Sequence, residues 1–269
     1  MEREVASREL QEQDLERARE IQQALLPKEI AQVPGFEVAA AWEPARVVGG
    51  DYYDVIRLSP TKLGICIADV VGKGVSAALL MASTQATVRA YASETATPSW
   101  LCSRVNEVLC SNLAADKFVT LFYGVLDSER STLHYTNAGH LPPLLLRSSG
   151  IVERLSVGGA VLGIFPGWKF EDASVQLDPG SRLLLYTDGI TEAMRSDEEE
   201  FSESGLLEAA RRGSALAPAD LKSHLLATVN AFCNSQLHDD ATLLLIAAHD
   251  QFTGGPPNQN RPPKFMIMR

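Results

Sequence analysis

The sequence predicts an α+β fold in which two mainly antiparallel sheets pack together with helices on the outside. About ten short apolar segments have the alternation or the buried character of β-strands, and most are separated by turn residues rather than by helices. The helical patterns come in two pairs, one after the third strand and one before the last. Strands grouped in this way argue against a doubly wound α/β fold, in which strands and helices alternate.

The composition of the chain argues against some classes of function. The chain has 269 residues, enough for one large domain or two small ones, and its 45% hydrophobic content supports a sizeable core. A net charge of -10 argues against nucleic acid or an anionic membrane as the main partner, since those partners require a basic face. The start of the chain is charged, and no apolar run approaches the roughly 18 residues of a membrane helix. We therefore expect a cytoplasmic protein.

The pattern of cysteines also favours a cytoplasmic location. The four residues stand in apolar contexts without metal-ligand spacing, which is typical of reduced core thiols: Cys66, Cys102, Cys110 and Cys233.

The first 30 residues are predicted to be a helix outside the main domain. They are rich in Glu, Gln, Arg, Ala and Leu, and Leu15, Ala18, Ile21 and Leu25 fall on one helical face. This segment is either a linker helix, with the option of pairing with its copy as a short coiled coil in a homodimer, or an amphipathic helix that lies on its own domain. The sequence leaves both interpretations open.

Residues 31–250 are predicted to form the main domain. Strands are expected at 36–42, 47–58, 63–69, 117–126, 133–137, 143–147, 151–155, 170–177, 182–187 and 241–248. Helices are expected at 75–91, 99–114, 205–212 and 218–232. Residues 251–269 are rich in Pro, Gly and Asn, and we expect this tail to be disordered.

The third strand leads into the most informative segment, LGICIADVVGKG at residues 63–74. Its apolar run ends on a carboxylate, Asp69, and Gly72 and Gly74 follow where the backbone must turn before a helix. A carboxylate at the end of a buried strand needs a cation or a hydrogen-bonding partner, because leaving it unpaired costs several kcal/mol.

Three further aspartates occupy comparable positions. Asp51 follows a Gly-Gly pair, Asp188 ends the apolar run RLLLYT, and Asp239 precedes ATLLLIAA. Carboxylates that converge at one rim of a sandwich raise one another's pKa, and a divalent cation removes that penalty. An all-oxygen site suits Mg²⁺ or Mn²⁺, and two such ions about 4 Å apart can hold a hydroxide for in-line attack on a phosphoryl group. The alternative is four independent turn aspartates.

Five motifs in order carry a resemblance. They are GGDYYD at 49–54, ADVVGKG at 68–74, NAGHLPP at 137–143, YTDGITEA at 186–193 and DDATLLLI at 239–246. From about residue 21 to residue 248 the chain resembles the metal-dependent Ser/Thr phosphatase (PPM) superfamily. It is most similar to the bacterial branch typified by SpoIIE and the phosphatases that regulate sigma factors. The resemblance implies the αββα layered sandwich, which agrees with the fold class above.

The resemblance also implies roles for particular residues. Asp69 would bridge two ions, with the carbonyl of Val70 as a backbone ligand. Many family members have Gly after this aspartate, but a carbonyl ligand does not depend on the side chain. Asp51 would complete the site of one ion, and Asp188 and Asp239 would complete the other.

Four other polar residues are candidates for supporting roles. Asp240 would be an alternative ligand or a group that holds one. Asp54 is either a hydrogen-bond partner of the site or an ordinary turn carboxylate, and Arg46 is either a phosphate-binding residue or a surface arginine. His140 is more readily explained as a residue that fixes its loop by hydrogen bonding than as a general acid.

The resemblance implies a phosphoserine/phosphothreonine protein phosphatase that uses two Mn²⁺ or Mg²⁺ ions. Its expected substrate is a bacterial regulatory protein, such as a phosphorylated anti-sigma-factor antagonist. Two alternatives remain at this point: a non-catalytic pseudophosphatase that binds a partner, and a two-metal hydrolase of other phosphoesters.

Overall fold

The computed structural model describes residues 2–93, 95–112 and 116–249, and it contains six helices and eleven strands in that part of the chain. The helices are α1 (Glu2–Leu25), α2 (Val75–Tyr91), α3 (Pro98–Asn112), α4 (Asp188–Thr191), α5 (Ser202–Arg212) and α6 (Pro218–Phe232). The longer strands are β1 (Phe36–Glu43), β2 (Tyr52–Arg57), β3 (Lys62–Val70), β4 (Val119–Asp127), β5 (Thr132–Ala138), β10 (Arg182–Tyr186) and β11 (Ala241–Ala248). The shorter strands are β6 (Leu144–Leu146), β7 (Val152–Arg154), β8 (Gly158–Gly159) and β9 (Ala173–Gln176).

The strands form two sheets, as the sequence predicts. One has the order β1-β11-β10-β6-β7, and the other has the order β2-β3-β4-β5-β8 with β9 also paired to β5. Every pairing between these strands is antiparallel except that of β5 with β8. The predicted α+β layered sandwich of two mainly antiparallel sheets is therefore confirmed.

Successive side chains of β10 point alternately into two different cores, and this shows how the layers pack. Leu183 and Leu185 belong to the larger core, which also contains Ile65 and Ile67 of the opposite sheet. Leu184 points the other way, into a second core beneath α5 and α6. Each face of this sheet is therefore covered, which explains why the interior strand β11 is buried at every position and has one continuous apolar sequence.

Helix α1 packs on the domain with most of the predicted stripe, since Leu15, Ala18 and Leu25 are half-buried, but Ile21 lies outside that contact. Ile21, which the apolar spacing placed in the stripe, is 65% exposed, whereas Gln22 is buried. The side chain of Gln22 donates to the Gly49 carbonyl at 2.6 Å and accepts from the Gly49 amide at 3.0 Å. A polar residue that satisfies a buried backbone group does not show in a pattern of apolar residues, and this is why the predicted stripe includes Ile21 instead of Gln22.

Local details also differ from the prediction. The segment 47–51 forms a loop before β2 instead of extending the strand, and β8 and α4 were not predicted. Elements of two and four residues are too short to show a period. The tail predicted for 251–269 lies outside the described residues. Within the described ranges, no helix combines the length and the apolar character that a bilayer span requires.

Candidate metal centre

The sheet topology brings five aspartates to one rim of the sandwich. Antiparallel pairing of Tyr186 with Leu243 places the end of β10 beside the start of β11, so Asp188 meets Asp239 and Asp240. In the other sheet, Tyr52 pairs with Ala68, so Asp51 lies beside the end of β3 that carries Asp69. Electrostatic coupling of Asp69 to Asp51, Asp188, Asp239 and Asp240 follows from this arrangement.

Asp51 is held by two threonine hydroxyls from the opposite sheet. The Oγ1 atoms of Thr187 and Thr242 donate to its Oδ2 atom at 2.7 and 2.5 Å, and all three residues are buried. Both bonds reach the same oxygen, so Oδ1 remains available as a ligand atom. Burial, followed by the charge of Asp69, raises the pKa of Asp51 well above its usual range despite these two donors.

Asp240 secures the loop that leads to Asp51. Its Oδ1 atom accepts from the Ala45 amide at 2.8 Å, and its Oδ2 atom accepts from the Gly50 amide at 2.6 Å. A Cβ on Gly49 would lie 2.4 Å from that same Oδ2 atom, so this close approach requires a glycine. Because both carboxylate oxygens bind backbone amides, the geometry favours a positioning role for Asp240 over the alternative ligand role.

The remaining aspartates, Asp69, Asp188 and Asp239, are half-buried and lie toward the solvent. Burial and then the charges of Asp188, Asp239 and Asp240 raise the pKa of Asp69 to about 7. Burial, followed by the charge of Asp239, raises the pKa of Asp188. The Nζ atom of Lys73 lies 2.6 Å from Oδ2 of Asp239 and donates to the His238 carbonyl at 2.8 Å.

Backbone oxygens approach the same rim because two residues lack side chains. A Cβ on Gly50 would lie 2.9 Å from the carbonyl oxygen of Val70. A Cβ on Gly189 would lie 2.2 Å from the carbonyl oxygen of Asp240. Any side chain at these positions would push apart the segments that carry Asp51, Asp69 and Asp188.

The donor set fits hard divalent cations. It consists of carboxylate and carbonyl oxygens, and burial together with mutual repulsion disfavours the charged form of Asp51, Asp69 and Asp188. Among the side chains that the structure describes, no three from His, Cys, Asp or Glu are arranged closely enough to hold one ion together. Lys73 occupies one of the carboxylate oxygens that such an ion would use, Oδ2 of Asp239.

His140 connects the two sheets behind this rim. It is buried, its Nε2 atom lies 3.2 Å from the Tyr186 carbonyl, and its Nδ1 atom lies 2.9 Å from Oγ1 of Thr120. A carbonyl can only accept, so Nε2 carries the proton and Nδ1 accepts from Thr120. Burial lowers the pKa of His140 to about 4, which keeps the ring neutral. These bonds agree with the predicted loop-fixing role.

The structure does not bring Asp54 to the rim. Asp54 pairs with Cys66, three residues from Asp69, and an odd offset along a strand places the two side chains on opposite faces of the sheet. Its carboxylate accepts from Nε and Nη2 of Arg89 at 2.7 and 3.0 Å and from the hydroxyl of Tyr52 at 2.9 Å. The interpretation of Asp54 as a partner of the site is wrong, because these donors already use it on the helix side.

Arg46 lies on the loop between β1 and β2, next to Ala45, whose amide binds Asp240. Its side chain is exposed, so its proposed contact with a phosphate stays a prediction.

Sequence reasoning missed the hydroxyls of Thr187 and Thr242 and the ammonium of Lys73. A signal existed for each: Thr187 directly precedes Asp188, and Thr242 is the second residue of the strand that follows Asp240. Lys73 stands between two glycines in the turn after Asp69. Sequence alone does not reveal that these three side chains point into one rim.

An αββα sandwich with a carboxylate rim between its sheets defines the class of PP2C-type (PPM) phosphatase folds. In agreement, the structure superposes on the SiaA-PP2C domain of Pseudomonas aeruginosa with a TM-score of 0.77 at 22% identity, covering 90% of this chain and 99% of that one. The family described as Stage II sporulation protein E (SpoIIE) matches residues 59–249. The chain belongs to the SpoIIE family.

Two sequence relatives extend this assignment. Protein IcfG of Synechocystis sp. (strain ATCC 27184 / PCC 6803 / Kazusa) is 35% identical over 223 residues, which cover 72% of this chain and 35% of IcfG. Phosphoserine phosphatase RsbU of Bacillus subtilis (strain 168) is 27% identical over 234 residues, which cover 87% of this chain and 69% of RsbU. The match therefore spans only about a third of the length of IcfG.

Proposed function

We propose that this chain is a metal-dependent phosphoserine/phosphothreonine protein phosphatase. The observation that carries the proposal is the group of aspartates at the rim between the sheets, where burial and then mutual repulsion raise the pKa of Asp69 to about 7. Such a group is costly without a cation, and structural ion pairing does not explain it, because Lys73 contacts only one of its members. Membership of the SpoIIE family supports the same chemistry.

Two Mn²⁺ or Mg²⁺ ions are the proposed cofactors. Asp69 would contact both, with the Val70 carbonyl as a backbone ligand, Asp51 would complete one site, and Asp188 with Asp239 would complete the other. When bound, such ions activate water and neutralise the charge of a phosphoryl group that is attacked in line.

The protein's own residues prepare these ligands. Thr187 and Thr242 fix the orientation of Asp51 by binding one of its oxygens. Asp240 holds the backbone at Ala45 and Gly50, which limits the movement of the loop that carries Asp51. His140 ties β4 to the end of β10 just before Asp188, and it does so as a neutral ring that leaves the charge of the rim unchanged.

We propose a phosphorylated bacterial regulatory protein as the substrate, such as an anti-sigma-factor antagonist. The support is the similarity to RsbU, whose name describes it as a phosphoserine phosphatase.

We also propose that α1 pairs with its copy in a homodimer. The support is that Leu10 and Ile21, which are 59% and 65% exposed and lie about three helical turns apart, offer apolar surface on one face of α1 outside the contact with the domain.

The test is phosphate release from a phosphoserine-bearing antagonist of an anti-sigma factor, from a phosphotyrosine peptide and from 4-nitrophenyl phosphate. We expect turnover of the phosphoserine protein that EDTA abolishes and Mn²⁺ restores. Binding of the phosphoprotein without hydrolysis at saturating Mn²⁺ would instead identify a pseudophosphatase. Faster hydrolysis of nucleotides or small esters than of the phosphoprotein would identify a hydrolase of other phosphoesters.

A further inference from the structure

Lys73 lies among the proposed metal ligands, although its ammonium is positively charged like the ions and would be repelled by them. It occupies the turn after β3 between Gly72 and Gly74, whose φ angles of 102° and 74° lie in the left-handed region. This turn carries Lys73 across to the other sheet, where its Nζ atom lies 2.6 Å from Oδ2 of Asp239. Burial and neighbouring carboxylates raise the pKa of Asp188 and of Glu192, and the charge of Lys73 offsets part of each rise, which places Lys73 inside the acidic rim.

The contact of Lys73 with Asp239 is not typical of a structural ion pair. Both side chains are partly exposed, at 39% and 35%, so the pair contributes little to stability. Its second bond, to the His238 carbonyl, keeps the ammonium at the rim without using a carboxylate. A lysine has a flexible four-carbon stem and three donors, so its head can leave Asp239 and still remain near the site.

An incoming ion and the ammonium compete for the same oxygen. A divalent cation on Asp239 both uses its carboxylate and repels Lys73. A phosphoryl group arriving at the rim brings negative charge, and a lysine ammonium is a suitable point-charge partner for a phosphate oxygen. Arg46, the other candidate for that role, lies exposed on the loop between β1 and β2.

We propose that Lys73 has two positions: on Asp239 when no ion is bound there, and on a phosphoryl oxygen of the substrate when the ions are in place. Lys73 is then both a competitor of the metal and a phosphate-binding residue of the site. This inference rests on the proposed phosphatase function, and it adds a residue that neither the acidic motifs nor the ligand set identifies.

The test uses Lys73→Ala, the charge-preserving Lys73→Arg, and Lys117→Ala as a matched control. Lys117 is suitable because its Nζ atom lies 3.5 Å from where a Cβ on Gly72 would be, so its removal takes one positive charge from the side of the same turn. Circular dichroism melting of each variant checks the fold. Calorimetry measures the affinity for Mn²⁺ and, with Mg²⁺-loaded protein, the affinity for inorganic phosphate.

We expect Lys73→Ala to bind Mn²⁺ several-fold more tightly and inorganic phosphate about 10-fold more weakly, since a charge-assisted hydrogen bond is lost. Lys73→Arg should recover much of the phosphate affinity, and Lys117→Ala should change neither affinity by more than about 2-fold. If Lys73→Ala binds phosphate as the unmodified protein does, the proposal is overturned, whatever happens to the Mn²⁺ affinity.

These readouts do not require turnover. If the unmodified chain hydrolyses no phosphoprotein, the proposed function fails, while the two calorimetric affinities still decide the role of Lys73. If the chain is active and the affinities of Lys73→Ala are unchanged, the proposed function stands and only the assignment of Lys73 is wrong.

Discussion

The two sides of the aspartate rim differ in how their charge is held. On one side Asp51 and Asp240 are buried, and hydroxyls or backbone amides bind their oxygens. On the other side Asp69, Asp188 and Asp239 are half-buried, and a lysine from a glycine turn contacts one of them. We refer to the first set as the tethered pair and to the second as the open trio.

This difference indicates which parts of the site the fold determines in advance. Neutral donors orient the tethered pair without adding charge, so that pair is positioned before any ion arrives. Burial, followed by the charges of Asp188, Asp239 and Asp240, raises the pKa of Asp69 to about 7, so the arrangement of the open trio depends on the cation that neutralises it. Substitutions on the two sides should therefore have effects of different kinds and sizes.

The largest effect is expected for Asp69→Asn in the open trio. The change removes the charge proposed to bridge both ions, and we expect phosphatase turnover at saturating Mn²⁺ to fall by more than about 100-fold, since even partners of ligands are worth 10- to 100-fold. The metal-free protein should unfold at a higher temperature, because repulsion within the rim is relieved. Phosphate release and calorimetric melting measure the two effects.

The matched control for this change is Asp54→Asn, since Asp54 lies on the opposite face of the sheet from Asp69. This variant should lose stability through the weakened bond to Arg89 while keeping its affinity for Mn²⁺. Unchanged turnover in Asp69→Asn would refute the bridging assignment.

A smaller effect is expected for Thr242→Val, which removes a donor to the tethered pair. Valine keeps the volume but removes the hydroxyl that donates to Asp51 at 2.5 Å. Losing a partner that orients a ligand should lower the affinity for Mn²⁺ by about 10- to 100-fold. Isothermal calorimetry measures this change, and Thr242→Ser, which keeps the hydroxyl, should stay near the unmodified affinity. Equal Mn²⁺ affinities for all three proteins would show that the hydrogen bond from Thr242 to Asp51 has no effect on metal binding.

His140→Gln should change how the stability of the metal-free protein depends on pH. The pKa of His140 is lowered from 6.5 to about 4, so the unfolded chain binds a proton more readily. The resulting contribution to the free energy of unfolding is present above the unfolded pKa and is lost as pH falls toward 4. From about pH 8 to about pH 5 the loss is roughly 2 kcal/mol.

Urea unfolding at these two values measures this loss. The carboxylates with raised pKa values have the opposite dependence, so the informative quantity is the difference between the unmodified protein and His140→Gln. Parallel pH dependences in the two proteins would contradict a buried neutral imidazole.

Most of the fold could be predicted because both sheets follow apolar alternation and their turns carry Gly, Pro, Asn or Asp. Helices α2 and α6 and strand β11 have the predicted bounds. The aspartates could be found because each stands at a strand end or beside a glycine break. The sequence could not separate the tethered pair from the open trio, since that distinction depends on donors far along the chain, such as Thr242 on Asp51. The misassignment of Asp54 has the same cause. Asp54 stands three residues from Asp51 in the same sequence motif, but this does not reveal on which face of the sheet its side chain lies.

The smallest effect is expected at α1, which joins the tethered side through the bonds between Gln22 and the backbone of Gly49. Ile21 is 65% exposed on the same helix, so Ile21→Asp should disrupt the proposed homodimer without touching those bonds. Gln23→Asp places the same charge on another exposed part of the helix and is the matched control. Light scattering should show a monomer for Ile21→Asp and a dimer for Gln23→Asp and the unmodified chain.

Coupling between that dimer and the metal site is a separate expectation. A change in the tilt of α1 would be felt at Gly49, two residues before Asp51, and we expect the Mn²⁺ affinity of Ile21→Asp to change by no more than a few-fold. A monomeric unmodified chain would refute the dimer. If Ile21→Asp is monomeric and its Mn²⁺ affinity equals that of Gln23→Asp, the helix only tethers the domain, and the tethered pair is positioned by Thr187, Thr242 and the two sheets alone.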